Sequence, residues 1–106
     1  MAWLLLLLAG LFEIGFALSL KASDGFSKLL PSLLFVVFAI VSLVLLNFAI
    51  KSLPIGTAYA VWTGVGAAGT AILGMVVLGE PVLATRIVSI GLIIAGVIGL
   101  QLTGGH

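Results

Sequence analysis

Residues 2–20 read AWLLLLLAGLFEIGFALSL, an apolar run carrying one charge, Glu13, near its middle. A run of about 20 apolar residues is long enough to cross a bilayer as an α-helix. Glu13 would then lie deep in hydrocarbon, where a bare carboxylate costs on the order of 3 kcal/mol. An acid kept in such a place has to be paired, hydrated or protonated, so it is by default a functional-site hypothesis. The remainder of the chain reads as a support for that group.

Composition agrees with a membrane setting. Of 106 residues, 63% are hydrophobic and 7% charged, and the mean hydropathy is +1.50. A water-soluble domain needs about 25% charged residues to cover its surface. The length has room for one transmembrane domain, residues 1–106, and no separate soluble one. A net charge of +1 gives no basic face for nucleic acid. With no cysteine there is neither a disulfide framework nor a thiolate metal site, and nothing calls for a metal or cofactor. A cleaved signal peptide would show a basic start and an unbroken apolar core. Here the start has no basic residue and Glu13 interrupts the core, so the first segment is expected to stay as a helix.

The pattern predicts an all-α integral membrane protein with four helices, over about residues 2–20, 29–50, 55–78 and 82–102. Lys21-Ala22-Ser23-Asp24-Gly25 forms the first turn and offers Ser23 and Asp24 as caps for the second helix. Pro31 falls in the first turn of that helix, where a missing N–H does little harm. Leu53-Pro54-Ile55-Gly56 and Gly79-Glu80-Pro81 make the other two breaks, and Thr103-Gly104-Gly105-His106 is left as a tail. His106 has no acid near it in sequence and is assigned no role. Such short turns predict a tight up-and-down bundle. They also put Lys21, Lys28 and Arg86 on one side of the membrane, against Lys51 and the amino terminus on the other. That bias is weak for the positive-inside rule. It leaves open both a single orientation, with Lys21, Lys28 and Arg86 cytoplasmic, and insertion both ways with antiparallel pairing.

Around Glu13, one helical turn to either side, stand Ala9, Gly10, Phe16 and Ala17. Three of the four are small, which either lets another helix approach closely or leaves room for a ligand. Gly10, Phe16 and Thr63 are the candidate lining. Tyr59 and Trp62, three apart in the third segment, share a face. They form either an aromatic wall for a cation or part of an interfacial aromatic belt. Ser42 is the most central polar group of the second segment; its hydroxyl either holds Glu13 or bonds back to its own helix. Asn47 is read as interfacial or packing. Gly64 and Gly66 weaken the third helix and are candidate hinge residues, with close packing as the alternative. Ser89 and Gly96, seven apart with Ala95 and Gly99 nearby, read as a helix contact and candidate dimer seam. Asp24, Glu80 and Arg86 are expected to be solvated or snorkelling at helix ends.

These residues resemble a known family. Ala9-Gly10-Leu11-Phe12-Glu13-Ile14, Leu20-Lys21-Ala22-Ser23-Asp24-Gly25-Phe26, Pro31-Ser32 and the run from Leu53 to Gly66 are together similar to the small multidrug resistance transporters, over essentially the whole length. Lys51-Ser52-Leu53-Pro54 and Gly56-Thr57-Ala58-Tyr59-Ala60-Val61-Trp62-Thr63-Gly64 resemble the guanidinium-exporter subtype more than the quaternary-ammonium exporters. The resemblance implies a multi-pass protein of the bacterial inner (cell) membrane, surrounded by lipid. It implies four helices per chain in an antiparallel, dual-topology homodimer that exchanges protons for small organic cations. Glu13 would bind proton or substrate, Ser42 and Trp62 would hydrogen-bond and orient it, and Tyr59 would line the site. In one respect the chain departs from the subtype: Phe16 stands where a Trp is usual, and its ring offers no N–H to a carboxylate.

The implied mechanism is competition, with two facing Glu13 carboxylates, one per subunit, taking either protons or one cation. A guanidinium matches the two oxygens of a carboxylate, whereas a quaternary ammonium has no donors and depends on aromatic contact. A quaternary-ammonium or mixed hydrophobic-cation exporter is therefore the alternative, supported by Phe16. From other classes come a rotary proteolipid, which four spans and the Tyr59/Trp62 pair fit poorly, and a passive assembly partner, which would release no proton on meeting a cation.

Overall fold

In a computed structural model, which describes residues 1–104, the chain forms four helices: α1 (Ala2–Ala22), α2 (Leu29–Ala49), α3 (Ile55–Val77) and α4 (Ala84–Gly104). Each has 21 to 23 residues, about 30 Å at 1.5 Å per residue, and all four are long and apolar enough to cross a membrane. His106 lies outside the described residues. Five helix ends depart by one or two residues from expectation, and α4 departs at both of its ends, starting at Ala84 rather than Val82. Pro81 has no N–H to give, and the first helical bond of α4 runs from Ile87 N–H to the Leu83 carbonyl at 3.0 Å.

The first turn is built on Ser23, which is fully buried. Its hydroxyl donates to the Leu20 carbonyl at 2.7 Å and accepts from the Phe26 N–H at 3.1 Å. Its carbonyl takes the N–H groups of Ser27 and Lys28 at 2.9 and 3.1 Å. Ser23 therefore closes α1 instead of opening α2. The residue before α2 is Lys28, with no side-chain cap, which corrects the expected capping by Ser23 or Asp24. Asp24, Gly25 and Phe26 turn the chain with φ of 49°, 71° and 67°. Phe26 is anchored there by its ring, 5.5 Å from that of Phe35, which in turn meets Phe16 at 5.7 Å.

The helices do not close into a bundle. α1 packs against both α2 and α3, α2 hardly meets α3, and α4 approaches α3 alone. The order α2, α1, α3, α4 makes a slab of 43 × 34 × 17 Å, in place of the tight up-and-down bundle expected from short turns. Short turns fix which ends are joined and leave open which faces meet. The buried core lies where α1, the end of α2 and α3 converge, around Leu6, Ala9, Ala49, Ala58, Val61 and Trp62. Most of the large apolar side chains of α2 and α4 remain exposed, as suits surfaces that meet lipid or another chain.

Candidate functional site

Glu13 lies on the α3 side of α1, against Gly66. A Cβ at position 66 would collide with the Glu13 carboxylate, so the acid occupies space that only glycine leaves free. Its Oε1 is buried and makes no hydrogen bond. A buried carboxylate oxygen with no partner in its own chain has to be hydrated, paired or protonated. A cleft of about 440 Å³ opens beside it, lined by Glu13, Phe16, Thr63 and Gly66 and, farther along, by Glu80 and Arg86.

Ser42 and Trp62 are brought together one turn away. The Trp62 Nε1–H donates to Ser42 Oγ at 2.9 Å, and Ser42 Oγ donates to the Ala9 carbonyl at 2.7 Å. Ala9 precedes Glu13 by four residues, so this carbonyl belongs to the helical turn that carries the acid. Three helices are thus tied at one point. In this arrangement neither side chain bonds the carboxylate itself; both reach it through the backbone of α1. Trp62 is 8% exposed, so it is a core residue and not part of an interfacial belt. Tyr59 stacks edge-on against Trp62 at 5.4 Å while remaining 56% exposed, and Thr63 donates its hydroxyl to the Tyr59 carbonyl. Tyr59 and Trp62 form one aromatic unit, outside the lining of the Glu13 cleft in a single chain.

The other candidates are distributed. Phe16 and Thr63 line the cleft. Gly10 does not: it is packed under Val65, whose Cγ1 lies 2.6 Å from where a Cβ would stand. Gly64 and Gly66 sit in an unbroken helix, the first against Val97 of α4 and the second against Glu13. Ser89 bonds back to the Thr85 carbonyl at 2.7 Å, and Gly96 faces open space on the exposed side of α4. Glu80 and Arg86 lie at helix ends and stay partly exposed, as expected, but they also pair at 2.6 Å and line the same cleft as Glu13. Six apart across a proline, they have no helical spacing that would reveal the pairing. Among the described residues no three of His, Cys, Asp and Glu gather as metal ligands would.

Comparison with known proteins bears on what this arrangement serves. The family model described as Small Multidrug Resistance protein matches residues 1–93. The chain belongs to the small multidrug resistance family. Among family relatives, the guanidinium exporter of Yersinia pseudotuberculosis serotype I (strain IP32953) is 59% identical over 102 residues, 96% of this chain and 98% of that one. The guanidinium exporter of Salmonella typhimurium (strain LT2) is 50% identical over 103 residues, 97% and 98% of the two chains, and that of Citrobacter freundii is similar to the same extent. Family membership and four apolar helices make this a multi-pass protein of the bacterial inner membrane, and a transporter rather than an enzyme.

Proposed function

We propose that this small multidrug resistance protein is a proton-coupled antiporter exporting small organic cations, guanidinium and substituted guanidinium ions, with protons and cargo competing for Glu13. The observation that carries the proposal is the buried, unbonded Glu13 oxygen beside an open cleft. An acid so placed needs one positive charge at a time, and either a proton or a cation supplies it. The names of the relatives, at 50–59% identity over nearly the whole length, support a guanidinium cargo. A planar guanidinium can give two N–H bonds to one carboxylate. Antiparallel pairing of two chains would set two Glu13 groups face to face. The exposed apolar faces of α2 and α4, with Ser89 and Gly96 on the latter, are the surfaces available for that contact. Gly64 and Gly66 would let α3 bend as the site changes sides.

A second cargo class, quaternary-ammonium or mixed hydrophobic cations, is favoured by one feature. Phe16 lines the cleft with an aromatic ring that offers no hydrogen bond. In proteoliposomes with an imposed proton gradient, guanidinium is expected to be exchanged and tetrapropylammonium not; the reverse preference would move the assignment to the second class. Glu13→Gln is expected to abolish exchange of either, and a variant transporting at the normal rate would end the proposal.

A further inference from the structure

The cleft that holds Glu13 has a second carboxylate toward its other end. Gly79, with φ of 70°, turns the chain just beyond α3. The turn returns the Glu80 N–H to the Gly74 carbonyl at 3.1 Å, an acceptor shared with the Leu78 N–H at the same distance. Glu80 is thereby folded back so that its carboxylate lies over Gly74, in space that a Cβ at position 74 would fill. Arg86, in the first turn of α4, reaches it with Nη2 2.6 Å from Oε1. Glu80 and Arg86 both border the cleft of about 440 Å³ that also contains Glu13.

Two details make this pair more than a clamp on the turn. First, a single oxygen–nitrogen contact joins groups whose geometry permits two parallel bonds, so the grip is not the strongest available. Second, the side chains keep 37% and 32% of their surface exposed, which leaves them open to solutes and lets water weaken the attraction. The head group of Arg86 is itself a guanidinium. Glu80 therefore already holds, on a tether, the chemical group proposed as cargo.

We propose that Glu80 is an outer cation station of the transport site, where an incoming guanidinium-type ion displaces Arg86 before passing along the cleft to Glu13. The identity of the cargo rests on the export function proposed above. The turn fixes the Glu80 backbone through its N–H bond to the Gly74 carbonyl, so the residue stays at the cleft when Arg86 leaves. A guanidinium can replace the Arg86 bond like for like. A quaternary ammonium has no N–H and cannot, so the outer station selects for donor-bearing cations before they reach the inner acid.

The rival account, a purely structural staple between α3 and α4, treats the two partners alike: removing either one loses the same bond. The station treats them oppositely. In proteoliposome exchange, Glu80→Gln is expected to raise the KM for guanidinium about fivefold, more than it lowers kcat. Arg86→Gln is expected to lower KM, because it removes the tethered competitor. Shifts of KM in the same direction for both variants would overturn the station.

A measurement on the unmutated chain stands apart from any folding defect. Arg86 is the only arginine in the sequence, so any arginine side-chain Nε–H signal in bicelles is assigned to it without ambiguity. Guanidinium chloride is expected to shift it in a saturable way, against sodium chloride at matched ionic strength, and to do so equally in Glu13→Gln protein, where the inner site is gone. No saturable shift in either protein would overturn the station while leaving export at Glu13 intact. Normal exchange by Glu13→Gln would overturn that export proposal and leave the Arg86 shift as independent support for cation binding at Glu80.

Discussion

Glu13 can lie against α3 because position 66 carries no side chain. Adding one methyl there is overpacking against an acid, which typically costs about 1–3 kcal/mol, and the carboxylate, at the end of a flexible side chain, is what would move. Gly66→Ala is thus expected to leave a folded protein that exchanges guanidinium at least about tenfold more slowly, read as flux per reconstituted chain. A variant with full flux would show that the acid works without this seat. Ser42 presents a different case. Ser42→Ala removes the acceptor of the buried Trp62 Nε1–H and the donor to the Ala9 carbonyl. Interhelical hydrogen bonds within membranes contribute about 1 kcal/mol. A loss of that size is expected in unfolding measurements of the variant in mild detergent, with cargo affinity reduced as well if the tie orients the turn carrying Glu13.

At the scale of helices, what the sequence reveals and what it withholds follow from the same cause. Four apolar runs separated by Lys21–Gly25, Lys51–Gly56 and Gly79–Pro81 mark the helices to within a few residues, because hydrocarbon demands that length. The same uniform apolarity hides which helix meets which, since no polar stripe distinguishes a buried face from a lipid-facing one. Only small residues hint at contacts, and they do so without naming partners. Gly10 packs under Val65 and Gly64 against Val97, the close-contact role that the sequence offered beside ligand lining and hinge. The α1–α3 contact can be tested directly. Gly10→Ala is expected to destabilise the protein by about 1–3 kcal/mol, and Val65→Ala in the same chain to recover most of that, because the methyl at 10 would stand 2.6 Å from Val65 Cγ1. Additive losses in the double variant would place the strain elsewhere. Glu80 and Arg86 were illegible for a related reason: the Gly79 turn, not a helical repeat, brings them together.

For the whole molecule, a slab in which α4 touches α3 alone has two broad apolar faces and one acid beside an open cleft. In the proposed antiparallel pair, two such slabs would lay one face each together, with the two acids opposed. With Lys28 and Lys51 replaced singly by cysteine, an impermeant thiol reagent applied outside whole cells is expected to label about half of the copies at either position, as weak charge bias permits. Complete labelling at one position and none at the other would establish a single orientation and exclude the antiparallel pair. The most direct test of the central claim, that protons and cargo share Glu13, is calorimetric titration of the purified protein with guanidinium across pH. Affinity is expected to fall steeply between about pH 9 and about pH 5, as protons occupy the carboxylates that the cation needs; an affinity that stays constant over that range would contradict the claim.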